Sequence, residues 1–319
     1  MRCDPSSAAL TEMEPLRELS KLIARHAAAT PRGMWKNDPL GLMFATASYI
    51  AEPSHRVYEP VFALVVQGEK QLVLGDKLFT CGEGTFVVVS VDLPVTFQIS
   101  RATPDKPYMA LALTLKPAAV ATLLLEAATV ESFPVEAEAA GMGVSDAAPE
   151  LLEAVVRLLR LVDHPRDLPV LGPIAEKEIL WRLLCSKQGH RLRQIGRADS
   201  RLSQIGRAMR RMRENYREAL PIEELARLSA MSVTSFHRHF RAVALMSPLQ
   251  YLKQIRLQEA RARLLARAED VATVGHAVGY DSASQFSREY KRAYGSPPGQ
   301  DARLLRASSS RGRATQVSK

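Results

Sequence analysis

The segment "IEELARLSAMSVTSFHRHFR", Ile222 to Arg241, recurs in altered form as "VATVGHAVGYDSASQFSREYKR", Val271 to Arg292. Ser232, Phe236, Arg238 and Phe240 fall against Ser282, Phe286, Arg288 and Tyr290 at an offset of 50, and Ile222 and Leu225 against Val271 and Val274 at an offset of 49. The extra residue falls in the turn, so each copy reads as a short helix, a tight turn and a second helix. The alternative is a strand, on which His237 and His239 would share a face and could chelate a metal ion; on a helix they point about 200° apart and cannot easily share one. Local chemistry favours the helix. Pro221 suits a first turn, and Glu223 and Glu224 complement the positive end of the dipole. Gly279 can take the left-handed conformation that ends a helix, and Ser282 with Gln285 forms a capping box. Ser247, Pro248 and Gln250 make a second box, opening a long helix through Leu252, Ile255, Leu257, Ala260 and Leu264.

At about 100° per residue, Phe236 and Phe240 point inward while Thr234, His237, Arg238 and Arg241 spread over the other side. In the second copy Phe286 and Tyr290 point inward, and Ser284, Ser287, Arg288 and Lys291 point outward with Gln285 at the border. Short, polar and cationic outward sets suit a major groove, where Arg can fork onto a guanine edge and Gln or hydroxyl groups can reach bases or phosphates.

The charge is distributed to match. From Arg201 onward 22 basic side chains face 10 acidic ones, a net +12, which leaves −3 on the first 200 residues of a chain whose total is +9. A polyanion partner is therefore expected for the second part alone. The chain has 319 residues, 46% of them hydrophobic, enough for roughly two domains with proper cores. No apolar run approaches a membrane span, and Asp4, Glu12, Glu14 and Glu18 stand where a secretion leader would be apolar. A cytoplasmic protein is expected. Cys3, Cys81 and Cys185 are odd in number and widely spaced, offering no CxxC pair, which fits a reducing compartment. Cys81, beside the "CGEG" turn, is a candidate oxidant or electrophile sensor against the plainer reading of an inert thiol.

Between Val57 and Leu115, runs such as "VFALVVQG", "KQLVLGD" and "TFVVVSVDLP" are short, β-rich and separated by Gly, Asp and Pro turns, the pattern of a small all-β barrel or sandwich. Helical patterns follow in "AAVATLLLEAA", "PELLEAVVRLLRLV" and "PIAEKEILWRLLCS", the last two each opening at a Pro. Their apolar surface is more than a lone helix could cover, so they are expected to pack on the barrel and on a second subunit. The polar stretch before Arg207 reads as a linker running into a helix, and the tail "ASSSRGRATQVSK" from Ala307 as disordered.

Residues from Ile205 to Arg303 resemble the double helix-turn-helix domain of the AraC/XylS transcriptional regulators, above all in "MSVTSFHRHFRAV", "SPLQYLKQIRLQEARARLL" and "VGYDSASQFSREYKRAYG". Residues 40 to 190 resemble the cupin-like barrel with helices that opens one subgroup of that family, through "YEPVFALVVQGEKQLVLG" and "TFVVVSVDLPVTFQI". The resemblance implies an α+β chain with an N-terminal cupin-like β-barrel with helices and a C-terminal all-α domain with two helix-turn-helix motifs. The expected divisions are an effector and dimerisation domain over 1–190, a linker over 191–204, the DNA-binding domain over 205–305 and a basic tail over 306–319. It implies groove-facing positions for Thr234, His237 and Arg238 on one recognition helix, and for Ala283, Ser284, Gln285, Ser287 and Arg288 on the other. Ala283 is a departure, since so short a side chain reaches only a thymine methyl or a phosphate.

The implied function is a sequence-specific, effector-responsive transcriptional activator and not an enzyme. Its implied partners are double-stranded DNA, an unknown small-molecule effector, a second copy of the chain and RNA polymerase as a further candidate, with no membrane, metal or cofactor. Candidate effector contacts are His55, Arg56, Tyr58 and Gln98. Two rivals are a cupin-type metalloenzyme with an appended DNA-binding domain and a DNA binder without an effector. The first is disfavoured because His55 has no His-x-His companion, and no P-loop, HExxH or Gly-x-Ser-x-Gly motif is present.

Overall fold

The computed structural model describes residues 5–27, 30, 34–128, 140–197, 200–266, 270–304 and 306. The chain divides into two compact units, Met1–Gly206 with His239–Leu245, and Arg207–Arg238 with Met246–Lys319.

The first unit opens with helix α1 (Pro5–Ala27), whose Leu19, Leu22 and Ile23 are buried. Ten strands follow: β1 (Met34–Asn37), β2 (Leu42–Ala47), β3 (Ser54–Tyr58), β4 (Val61–Gln67), β5 (Glu69–Leu74), β6 (Lys77–Cys81), β7 (Thr85–Val89), β8 (Leu93–Arg101), β9 (Tyr108–Thr114) and β10 (Met142–Asp146). They form two antiparallel sheets, one ordered β1-β2-β9-β4-β7-β10 and the other β3-β8-β5-β6. The arrangement is a cupin-like pair of jelly-roll sheets and not a closed barrel, because among the described residues β1, β10, β3 and β6 remain edge strands. Alternating side chains specify which face of a strand is buried, but they do not say whether the last strand pairs with the first.

Strand β4 is buried on both faces from Phe62 to Val66, as a central strand covered on one side by α1 must be. Strand β5 alternates instead, with Lys70, Leu72 and Leu74 buried. Gly68, just before it, has φ +81, and a Cβ there would lie 2.6 Å from the Arg101 carbonyl oxygen. Only glycine lets the chain turn into β5 at that distance. The β5–β8 register then shifts between Glu69 and Lys70, the former opposite Arg101 and the latter opposite Ile99.

Helices α2 (Pro117–Ala127), α3 (Pro149–Val162), α4 (Leu168–Leu184) and α5 (Gly189–Gly196) complete this unit. Helix α4 begins five residues before the Pro173 expected to open it, because Pro169 takes the first-turn position and Pro173 sits inside. The stretch expected as linker, 191–204, is largely helical: α5 buries Leu192 and Ile195 and packs on α2, and helix α6 begins at Arg201.

The second unit carries the rest of α6 (Arg201–Glu214), then α7 (Ile222–Leu228), part of α8 (Val233–Ala244), α9 (Pro248–Ala266), α10 (Val271–Ala277), α11 (Ala283–Tyr294) and a last helix, α12, over 298–304. The sequence beyond 306, expected as a disordered tail, lies outside the described residues. The duplication extends to individual hydrogen bonds in the turns. The Met231 N–H donates to the Ala226 carbonyl at 2.9 Å and the Tyr280 N–H to Gly275 at 3.0 Å, so α7 and α10 end in the same Schellman turn. Ser232 Oγ accepts from the Ser235 N–H and Ser282 Oγ from the Gln285 N–H, both at 3.3 Å, starting α8 and α11 alike.

The copies differ where the backbone turns left-handed. Gly279 (φ +95) and Gly295 (φ +78) occupy these positions in the second copy, while the first has Ala230 (φ 53) and Leu245 (φ 57). Helix α9 begins with a complete capping box between Ser247 and Gln250, and packs on α10. It is fastened further on: Arg261 donates Nε and Nη2 to the Asp301 carboxylate of α12 at 2.9 and 3.1 Å, and the Tyr290 hydroxyl of α11 donates to the same carboxylate at 2.8 Å.

Candidate nucleic-acid interface

Phe236 and Phe240 of α8 are fully buried, and Thr234, His237, Arg238 and Arg241 are all exposed. On α11, Phe286 and Tyr290 are fully buried; Ser284, Gln285, Arg288 and Lys291 are exposed, with Ala283 and Ser287 half-buried. Every residue expected to face a groove thus stands at or near the surface of one of two equivalent helices. His237 and His239 diverge as a helix requires, the first exposed and the second buried.

A carboxylate on such a face would repel phosphate, and α11 carries one in Glu289. It is drawn off the face by Lys253 Nζ at 2.8 Å, the Tyr280 hydroxyl at 2.9 Å and Gln285 Nε2 at 3.3 Å. Burial opposes its charge, but these three donors prevail and hold its carboxyl below the ordinary 4.5. Gln285 therefore reaches forward to Glu289 and not back to its cap, so only the Ser282 half of the expected box forms.

In the first unit, Arg56 and Tyr58 line a cavity of about 220 Å³ between the two sheets. His55 and Gln98 lie outside that lining: they alternate with Arg56 and with Phe97 and Ile99 along β3 and β8, and His55 Nδ1 bonds Thr96 Oγ1 at 2.7 Å. Three polar lining residues escaped the sequence reading, Thr46, Lys70 and Tyr108. The signal for Lys70 was available, since in "EKQLVL" the lysine falls in phase with Leu72 and Leu74, on the inward face of a strand. Cys81 is fully buried, and burial raises its thiol above the ordinary range against the pull of Lys70. An oxidant or electrophile sensor needs an accessible thiolate, and Cys81 is neither accessible nor ionised.

Two tandem helix-turn-helix modules and, in the same chain, a two-sheet unit with its own cavity define the class of two-domain helix-turn-helix regulators. Residues 40–191 match the AraC-type transcriptional regulator N-terminus and residues 225–303 a helix-turn-helix domain. The chain belongs to the AraC family of transcriptional regulators.

Among similar curated proteins, the transcriptional activator RhaS of Pectobacterium carotovorum subsp. carotovorum is 30% identical over 87 residues, 27% of this chain and 31% of that protein. The regulator ArgR of Pseudomonas aeruginosa is 25% identical over 152 residues, 48% of this chain and 46% of that protein. The virulence regulon activator VirF of Yersinia enterocolitica is 27% identical over 164 residues, 50% and 58% of the two chains. The chain thus spans between about a third and three fifths of these relatives. Apo ToxT of Vibrio cholerae shares the fold, with a TM-score of 0.53 at 9% identity over 83% of this chain and 98% of that one.

Proposed function

We propose that this protein is a cytoplasmic, sequence-specific DNA-binding transcriptional activator that reads duplex DNA through α8 and α11. The observation that carries the reading is the pair of equivalent helices, each exposing a short polar and cationic set over a buried aromatic pair, on the net-positive part of the chain. Thr234, His237, Arg238 and Arg241 serve the first groove, and Ala283, Ser284, Gln285, Ser287, Arg288 and Lys291 the second. The reading domain is assigned to 205–305 and sensing and homodimerisation to 1–190, with RNA polymerase as the further partner. Activation is supported by the names of RhaS and VirF. Effector binding is supported by the inter-sheet cavity, and by a ToxT structure described as bound to an unsaturated fatty acid.

Binding-site selection from random duplexes with the full chain tests this. The two modules run in the same chain direction, so the expected site is directional, with two contacted segments about one helical turn, roughly 34 Å, apart. Arg238→Ala and Arg288→Ala are each expected to weaken binding by about 1–3 kcal/mol and to relax specificity at one position, and affinity should fall steeply with salt. Uniform weakening on all sequences would reduce both arginines to phosphate contacts, and recovery of no preferred sequence would end the proposal.

A further inference from the structure

The cavity between the sheets is lined mainly by Met43, Ala63, Phe97, Ile99, Ala110 and Leu111, an apolar wall interrupted by Thr46, Lys70, Tyr108 and Tyr58, with the exposed Arg56 also in the lining. Lys70 is 5% exposed, and a buried ammonium in such a wall calls for an anion. Among the described residues it has no carboxylate partner; its interactions are with Tyr108, Tyr58 and Cys81. The adjacent acid is turned elsewhere, since Glu69 accepts from Ser100 Oγ at 2.8 Å and lies 3.9 Å from Arg101. The register shift between Glu69 and Lys70 separates the two, as a bulge re-aims a side chain.

Neither Tyr108 nor Cys81 supplies a negative charge at neutral pH. Burial raises both the Cys81 thiol and the Tyr108 phenol, so each keeps its proton. Burial likewise opposes the charge on Lys70, and the hydrogen bond with Tyr108 favours it, so an anion seated beside the amine would secure its ammonium form. The fold thus buries a lysine in an apolar cavity beside two phenols, with no carboxylate among the described residues to serve as its counter-ion.

We propose that this cavity binds a small apolar monocarboxylate, its carboxylate on Lys70 and Tyr108 and its hydrocarbon body along the Ala, Met, Phe, Ile and Leu wall. The one buried amine, between phenols, matches a single negative charge, since Arg56 is exposed, and a wall apolar over most of its residues disfavours a sugar, whose every hydroxyl would need a partner. The size fits as well. An apolar cavity of about 150 Å³ accepts benzene, so one of about 220 Å³ accepts a substituted ring or a medium-length chain. The inference names the ligand chemistry of the sensing unit proposed above and rests on that reading for its regulatory meaning; binding itself is measurable without DNA.

Isothermal titration calorimetry of the full chain with 3-phenylpropionate and octanoate, each paired with its amide, tests the proposal. Each acid is expected to bind at one per chain and at least tenfold more tightly than its amide. Lys70→Met, which keeps the volume and removes the charge, should lose that preference, with acid affinity falling at least tenfold and amide affinity staying within about threefold. Near-ultraviolet circular dichroism checks that the variant folds. If it does not, Ala112→Leu, which fills the cavity and leaves Lys70 in place, is expected to abolish binding of acid and amide alike. Equal affinity for acid and amide, no heat from either acid, undiminished acid binding in folded Lys70→Met, or unchanged binding in Ala112→Leu would each overturn it. A failure to bind DNA would leave these titrations unaffected, so the two proposals fall separately.

Discussion

Asp301 is the residue on which α11 is fastened, and Asp301→Ala should loosen that helix without touching its exposed face. The carboxylate takes three hydrogen bonds, from Arg261 Nε, Arg261 Nη2 and the Tyr290 hydroxyl, and its side chain is only 9% exposed. Removing one partner of a buried ion pair costs about 3–5 kcal/mol, because the other charge is left buried. Here the Arg261 side chain is 16% exposed and lies over the Tyr294 ring at 4.6 Å, so water and the ring relieve part of that cost. The lower end, about 3 kcal/mol, is the expected value, equivalent to roughly a hundredfold in an opening equilibrium. Hydrogen–deuterium exchange of the full chain reads it directly: amides of α11 should exchange about a hundredfold faster, with strands of the first unit as internal control. Adding Arg261→Met to Asp301→Ala should restore most of the protection, since no buried charge is then orphaned. Exchange within threefold of wild type in the single variant, or a double variant worse than the sum of the singles, would refute the reasoning.

Ala230→Gly is expected to stabilise the first module by about 0.5–1 kcal/mol in urea unfolding, because left-handed backbone costs an L-residue about 1–2 kcal/mol and the added freedom of glycine returns part of that; destabilisation would count against the strain. Glu289 has a folded pKa below its ordinary 4.5, so its contribution to stability is fully present above that value and is lost as pH falls through the lower folded value. Thermal unfolding between about pH 3 and 6 should show that acid limb, flattened in Glu289→Gln. Iodoacetamide should modify the exposed Cys185 in the native protein and spare Cys81 until denaturant is added; prompt native labelling of Cys81 would contradict its burial.

The helical unit was legible because its signals are local. The inward aromatic pairs and the cap serines lie within a few residues of one another, and each predicts its neighbour. The β unit was legible in kind but not in closure, since edge strands are defined by partners far along the chain. Of the four effector candidates Arg56 and Tyr58 line the cavity, while His55 and Gln98 lie outside its lining, because strand parity turns them the other way and polarity alone does not show it. The linker reading over 191–204 missed α5, whose buried Leu192 and Ile195 are too few to stand out from a polar background.

The left-handed turns that separate the two copies also set an order of failure. With Gly279 and Gly295 the later copy sits in relaxed backbone at both bends, whereas Ala230 and Leu245 hold the earlier one under tension. Warming or denaturant should therefore melt the earlier half first, so that on the function proposed above the chain would pass through a state with one grip left of two and no sense of direction along a duplex.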